Sequence, residues 1–320
     1  MAISVGVRSP YFISWDAGAT ANSYKFSIAI DGVIFAYTII KNVPDTNKAG
    51  IDVSELIKDY INISYTGSLP VGTSVPADWG VEWYAVINAY TGENATGSLV
   101  AGSPQLISTR DAYLGYAYYS DEDPNFVYSS TTPLISNYTL WYPDNTAGYF
   151  YSNESGTITR KTVSTSATSV SAGGQTITIK RFPCNKYDDV KLVFTNRYGM
   201  LQELYFFAKN TESTNFTREK YKSNVFDYAG VYQKEDHQVR SFDVNAKTQY
   251  ELSTGYISED YNEFIKELML SEQVWAHIGG EVRPVSVVDS NVTYRTSVND
   301  KLVSYTVNIE QANDLISTMR

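Results

Sequence analysis

Two apolar runs flank the pair Asp31-Gly32. Residues 24–30 alternate between large apolar side chains and smaller or polar ones, and residues 33–40 continue as a run rich in Val, Ile, Phe and Tyr. A period of two residues is typical of a strand with one buried face. Asp-Gly between two such runs is the strongest short-range signal of a β-hairpin. The start of the chain is therefore restricted to antiparallel sheet structure.

A second pair of apolar arms lies further along the chain. Residues 190–194 and 204–208 are short and rich in Val, Leu, Phe and Tyr, as strands are. Between the arms, Asn196 and Gly199 can take positive φ at low cost. The pattern predicts another β-hairpin and, by itself, indicates no chemistry.

The break between these arms carries Arg197 and Tyr198. A guanidinium group in a turn stacks on an aromatic ring or binds a carboxylate through two hydrogen bonds. Arg197 therefore either fixes its own loop or docks on a neighbouring subunit, and the sequence leaves both open. Tyr84 and Tyr90 share the second face of a strand predicted over 79–90. Arg197, Tyr198, Tyr84 and Tyr90 are the interface candidates.

The length of 320 residues and the spacing of the turn signals predict a mainly β chain in several parts. Residues 1–112 are predicted to form an immunoglobulin-like or fibronectin-like β-sandwich. Residues 113–135 form a linker segment. A second β domain follows over 136–227, with an uncharged projecting hairpin at 165–172. Residues 228–320 are predicted to form an α+β assembly domain.

Local patterns also predict several smaller elements. A capping-box pattern predicts a short helix over 52–61. Apolar residues at helical spacing predict a longer helix over 258–269, whose apolar stripe belongs to the core. Residues 302–309 are predicted to form a strand at a sheet edge, and residues 311–319 a short terminal helix or tail.

The composition excludes several classes of protein. A net charge of −10 argues against a nucleic-acid binder that relies on phosphate contacts. No apolar run reaches the roughly 18 residues of a membrane-spanning helix, and no secretory signal is expected at the N-terminus. The 27 tyrosines suit strands and subunit interfaces, because Tyr combines an apolar ring with a polar tip.

No pattern in the sequence predicts an enzyme, a cofactor site or a metal site. His237 and His277 each lack a partner at ligand spacing, and a zinc site needs three or four ligands. Cys184 is the single cysteine, so no intrachain disulfide exists, and its role is left open. Calcium binding by Asp144 and Asn145, or by the carboxylates at 121–123, stays an alternative.

Short motifs in several parts of the chain carry a family resemblance. They are VRSPYFI (7–13), IDVSELIKDY (51–60), LVFTNRYG (192–199), LYFF (204–207), PVSVVD (284–289), YRTSVNDKL (294–302) and the pair Ala312-Asn313. Taken together, these motifs resemble virion tail and collar proteins of phages that infect Bacteroidetes, including the crAss-like phages.

The resemblance implies a structural virion protein, made in the cytoplasm of the bacterial host. Its copies are expected to form a closed ring of twelve-fold or six-fold symmetry in the portal–tail assembly. The expected partners are further copies, the portal protein and neighbouring tail or collar proteins. Genomic DNA is expected to pass through the lumen without specific binding, which the net negative charge suits because it repels DNA.

The alternative is a receptor-binding or carbohydrate-binding protein at the tail tip. The two functions differ in where tyrosines lie. A ring protein buries them between subunits, whereas a carbohydrate binder exposes a cluster of them in a groove with polar partners. The aromatic segment 113–119 is the candidate for such a sugar-stacking platform.

Overall fold

The chain is mainly β, as predicted. The computed structural model describes residues 4–43, 48–68, 75–121, 125–183, 187–226, 228–232, 234–289, 291 and 302–316. Strands hold 53% of the residues and helices 8%. The chain divides into two compact units. Unit 1 comprises Met1–Cys184, Val193–Leu204 and Asp260–Glu272, and unit 2 comprises Asn185–Leu192, Tyr205–Glu259 and Gln273–Arg320.

Unit 1 begins with a five-stranded sheet and a two-stranded sheet. Their strands are β1 (Val5–Gly6), β2 (Phe12–Asp16), β3 (Ser23–Ile30), β4 (Val33–Asn42), β5 (Lys48–Asp52), β6 (Gly80–Tyr90) and β7 (Gln105–Tyr113). The larger sheet has the order β1-β7-β6-β3-β4, and β2 pairs with β5. Asp31 and Gly32 have φ of 46° and 75°, so the predicted tight hairpin between β3 and β4 is confirmed.

The inner strand β6 supplies the core of this sheet. Val81, Trp83, Ala85 and Ile87 alternate along it and are all buried, as the period of two predicted. The first helix, α1 (Ser54–Lys58), is shorter than expected. Its start is fixed because the carboxylate of Asp52 accepts hydrogen bonds from the backbone N–H and the hydroxyl of Ser54.

Six shorter strands complete the sheets that lie wholly in unit 1. They are β8 (Thr131–Pro133), β9 (Thr139–Pro143), β10 (Gly148–Glu154), β11 (Thr157–Val163), β12 (Ser169–Ala172) and β13 (Gln175–Phe182), in the orders β11-β10-β8 and β12-β13-β9. Residues 165–171 are mostly exposed, and the turn after them is tied to the same unit, because Gly173 N–H donates to the Glu154 carboxylate at 2.9 Å and Ala172 is buried. The role of residues 165–172 as a projecting hairpin stays a prediction.

The remaining strands form one large sheet and one small one. They are β14 (Val190–Thr195), β15 (Leu201–Phe206), β16 (Thr211–Lys222), β17 (Val239–Ser253), β18 (Ile257–Ser258), β19 (Val274–Ile278), β20 (Glu281–Val287), β21 (Leu302–Val303) and β22 (Thr306–Gln311). The large sheet has the order β15-β14-β19-β20-β22-β17-β16, and β18 pairs with β21. Strands β14 and β15 contribute residues to both units.

The longer predicted helix is confirmed as α2 (Asn262–Leu270), which belongs to unit 1 and follows a 3-10 turn over Glu259–Tyr261. Phe264, Ile265 and Leu268 are buried, so its apolar stripe is part of the core.

The C-terminal predictions need two corrections. Strand β22 lies between β20 and β17 instead of at a sheet edge. After Gln311, residues up to 316 form bends, so the part of the predicted terminal helix that the structure describes is not helical, and residues 317–319 lie outside it. The predicted domain start at 228 falls between β16 and β17, which pair with each other as a hairpin.

Candidate functional site

The turn between β14 and β15 is held by the side chain of Asn196, which is fully buried. Its side-chain oxygen accepts hydrogen bonds from the backbone N–H groups of Tyr198 (3.0 Å) and Met200 (3.1 Å), and its amide donates to the Leu134 carbonyl at 2.8 Å. Gly199 has the predicted positive φ, of 70°. The turn is therefore a fixed platform for the residue between Asn196 and Tyr198.

Arg197 is that residue, and its guanidinium group contacts a ring, a backbone carbonyl and a carboxylate inside unit 1. The group lies 4.4 Å from the centre of the Tyr118 ring, its Nε donates to the Tyr116 carbonyl at 3.3 Å, and its Nη2 binds the Asp121 carboxylate. Lys266 Nζ lies 3.4 Å from the centre of the same Tyr118 ring. These contacts explain Arg197 within its own chain, while a role between subunits stays a prediction.

The other interface candidates lie in different surroundings. The Tyr198 carbonyl accepts a hydrogen bond from the Tyr128 hydroxyl at 2.7 Å, so the turn is tied to the segment 113–135. Tyr84 and Tyr90 are half-buried on the second face of β6. The structure thus brings Arg197 and Tyr198 together and places Tyr84 and Tyr90 on a separate strand, and the interface role of all four stays a prediction.

Truncation of the guanidinium group is expected to destabilise the folded chain. Arg197→Ala leaves the Tyr116 carbonyl without the Arg197 hydrogen bond and leaves the Asp121 carboxylate with the backbone N–H of Tyr118 but no cation, so we expect the free energy of unfolding to fall by about 2 kcal/mol. Urea unfolding measures the change. The matched control is Arg240→Ala, at an exposed arginine whose ion pair with Asp236 spans 3.9 Å, which we expect to be almost neutral. Equal effects of the two substitutions would contradict this account.

A buried carboxyl group on α2 lies close to this turn, and no local pattern predicts its burial. Glu267 is fully buried, and one carboxyl oxygen accepts the hydroxyl hydrogen bond of Ser136. Its Oε2 has no hydrogen-bond partner among the described residues. The pKa of Glu267 is raised to about 7, because burial and then the nearby Glu263 raise it by more than Ser136 and Arg197 lower it. Glu267 therefore keeps its proton at pH values at which an exposed glutamate is already ionised.

Strands β16 and β17 form a long two-stranded ribbon that the sequence analysis did not predict. Their pairing runs from Thr211 opposite Glu251 to Lys222 opposite Val239. Nearly all of β16 is exposed on both of its faces, including Phe216. The pattern of β16 is mainly polar, so periodicity gave no strand signal there.

The end of the ribbon carries apolar side chains in contact with solvent. Phe226 and Tyr232 form an isolated bridge with their rings 5.9 Å apart, and both are more than half exposed. Tyr228 and Val231 are also exposed. Clustered exposed apolar residues mark binding surfaces in ordered proteins. The ribbon is therefore the strongest candidate for a binding surface in unit 2.

The residues considered for chemistry do not converge. His237 lies in the loop between β16 and β17, and His277 lies in β19, where burial and then Lys191 lower its pKa to about 4. Cys184 lies outside the described residues. Across the described ranges, no group of three or more His, Cys, Asp or Glu side chains could hold a metal ion. Asp144 and Asn145 therefore belong to no such group.

The comparisons with known proteins give no family. No family model matches the chain, and no curated protein matches it. Within the parts of the chain that are described, no helix is long and apolar enough to cross a membrane. The function is therefore inferred from the surfaces of the two units.

Proposed function

We propose that the chain is a structural subunit of a phage portal–tail assembly, in which its copies form a closed ring in the collar or tail barrel of the virion. The observation that carries the proposal is the β16–β17 ribbon, which holds exposed apolar residues in an ordered hairpin. Residues 249–253 of β17 also pair with β22, but the rest of the ribbon has only two strands, and a two-stranded hairpin is only marginally stable by itself in water. A partner that covers the ribbon supplies the missing burial.

Closed rings need two different contact surfaces on each subunit, because their contacts are heterologous. The ribbon of unit 2 provides one surface, and an exposed strand of unit 1 provides another. The proposed ring has twelve-fold or six-fold symmetry, with the portal protein and other tail or collar proteins as neighbours. The net charge of −10 suits a lumen that DNA crosses during ejection without binding.

The proposal includes the finer architecture. The sheet β1-β7-β6-β3-β4 and the pair β2–β5 support an immunoglobulin-like or fibronectin-like sandwich over residues 1–112. The residues 113–135 then act as the connecting segment, with most of their tyrosines packed. Residues 136–227 and 228–320 share the ribbon, so the β and the α+β parts of the predicted layout are joined through its two strands.

Assembly is tested by measuring the mass of the purified chain alone and with the portal protein, and by averaging images of virions. We expect a fixed number of copies of the chain to bind each portal complex. We also expect the averaged images to show rotational symmetry at the position of the chain. The portal protein alone is the control. Single copies at fibre tips, together with no binding to the portal protein, would contradict the proposal.

Carbohydrate binding at the tail tip is the second candidate, and one observation favours it. The ring of Tyr119 is fully exposed beside Asp121 in a pocket of 440 Å³ that Ser9 also lines. A flat exposed ring next to a carboxylate is a common arrangement for stacking a sugar. The discriminating variant is Tyr119→Ala, which should abolish binding to a glycan array if the chain is a tail-tip binder and should leave assembly unchanged if it is a ring subunit.

A further inference from the structure

Strand β4 is an open sheet edge with an apolar sequence. It is the last strand in the order β1-β7-β6-β3-β4 and has ten residues, of which Lys41 alone is charged. Ile34 is 69% exposed, and Phe35 and Ile40 are about half exposed. Proteins usually protect long edges with charges, prolines or bulges, because an open edge pairs with further strands. Phe35 has φ of 55° and the β3–β4 register shifts there, so the regularly paired stretch 37–42 is the part of this edge best suited to pairing with a strand from elsewhere.

Strand β16 is a second open edge, with a different charge pattern. It ends the large sheet and has 12 residues. Its distal end carries Arg218, Lys220 and Lys222 beside the single acid Glu219. The ribbon from 211 to 253 holds six basic and seven acidic residues, so nine of the ten net negative charges lie elsewhere in the chain. The ribbon itself is therefore close to neutral, so the net charge of the chain opposes its approach to another copy only weakly.

The two ends of β4 carry opposite charges. Asp31 lies in the β3–β4 turn at its beginning, and Lys41 lies near its end. Glu82 and Asp111 line a pocket of 290 Å³ together with Asp31 but belong to β6 and β7, on the other side of β3. A strand added outside β4 can therefore reach Asp31 and Lys41, and the basic end of β16 has the charge that complements Asp31.

We infer that β16 of one copy adds as an antiparallel strand to β4 of a neighbouring copy, with Lys220 and Lys222 beside Asp31 of the β3–β4 turn. The inference deepens the proposed ring and rests on it. The antiparallel direction follows from charge. It places the basic end of β16 at the acidic start of β4 and brings Glu212 near Lys41, whereas a parallel strand would place the basic end beside Lys41.

This contact is heterologous, because each copy uses β4 on one side and β16 on the other. It therefore propagates around a ring. A β4–β4 contact is the competing use of the apolar edge, but it would be isologous and would stop at a dimer. It would also leave the ribbon uncovered.

Photo-crosslinking of the assembled complex tests the register. A benzoylphenylalanine at Phe35 is expected to react with residues 218–222 of another copy, and one at Ile40 with residues 213–217. Mixing isotopically labelled and unlabelled copies identifies links between copies. If the crosslinker at Phe35 reacts with residues 213–217 and the one at Ile40 with residues 218–222, the strands are not antiparallel. Crosslinks from β4 to β4 would overturn the inference as a whole.

Edge variants test the energetics. Ile34→Lys and Ile40→Lys place charges on the open edge and are expected to weaken self-association at least about tenfold. The matched control is Leu106→Lys, which changes a 60% exposed residue of the inner strand β7 and should have no effect. Replacing residues 223–238 with Asn-Gly removes the ribbon tip but keeps the Lys222–Val239 pair, so assembly should persist. Loss of assembly in that variant alone would assign the contact to the tip and overturn the inference.

A charge exchange separates the salt bridges from general effects on folding. Lys41→Glu and Glu212→Lys are each expected to weaken association, and their combination is expected to restore it. No restoration counts against the pairing of these charges. A closed ring whose crosslinks lie elsewhere overturns this inference and leaves the proposed function intact, whereas a chain that never joins the portal overturns both.

Discussion

Gly199→Ala is expected to cost about 3 to 5 kcal/mol of the free energy of unfolding, because backbone strain and a steric clash act together. Gly199 has φ of 70°, which an L residue with a side chain adopts at a cost. A Cβ at this position would also lie 2.7 Å from the backbone C and N atoms of Leu114. Backbone atoms cannot rotate away as a flexible side chain does, so the β14–β15 turn would have to move.

Gly174→Ala is the matched control for this prediction. Gly174 has nearly the same φ, of 75°, but a Cβ there would meet nothing within 4 Å. Only the conformational cost remains, and we expect about 1 kcal/mol. Urea unfolding of the two variants separates the clash from the strain. If both lose the same free energy, the approach of Leu114 has no part in the requirement for glycine.

The same turn shows how far the sequence could predict the candidate site. Both arms and a glycine with positive φ were predictable, since each depends on a few neighbouring residues. The partners of Arg197 were not, because Tyr118 and Asp121 lie almost eighty positions earlier in the chain. A local pattern therefore predicted the turn, and only the tertiary structure could show which residues contact Arg197.

The strands were predictable to the extent that their apolar pattern was strong. The apolar pattern of residues 33–40 correctly predicted a strand. Its position at the sheet edge depends on strand order, which no local pattern encodes. Strand β16 was missed because its residues are mainly polar, and pairing with β17 holds it in place. The hairpin at 165–172 was predicted to project because it has few apolar residues, and its turn is held by a hydrogen bond to the distant Glu154.

Helix α2 shows a third limit of local patterns. Its apolar stripe was predicted correctly, yet Glu267 is buried beside it. A carboxylate is normally assumed to face solvent. Nothing in the sequence near Glu267 indicates that the hydroxyl of Ser136, over a hundred positions earlier, donates a hydrogen bond to its buried carboxyl group.

Burial of this carboxyl group is expected to make the stability of the chain fall as the pH rises. Burial raises the pKa of Glu267 from 4.5 to about 7, so the folded state binds more protons than the unfolded state between these values. Its contribution to the free energy of unfolding is complete below pH 4.5 and is lost as the pH rises towards 7. A shift of this size corresponds to about 3 kcal/mol.

Glu267→Gln tests this expectation, because glutamine keeps the shape of the protonated carboxyl group and has no charge to bury. We expect the variant and the wild type to have similar urea midpoints at pH 5, and the variant to be the more stable at pH 8 by a few kcal/mol. Glu251→Gln, at an exposed carboxylate on β17, is the control and should leave the pH dependence unchanged. A wild type and a Glu267→Gln variant that lose stability in parallel between pH 5 and pH 8 would show that the group is already ionised in the fold. An equal pKa in the folded and unfolded states would mean that the fold imposes no cost on the charge, so burial would not raise the pKa of Glu267 and the expected fall in stability would be wrong.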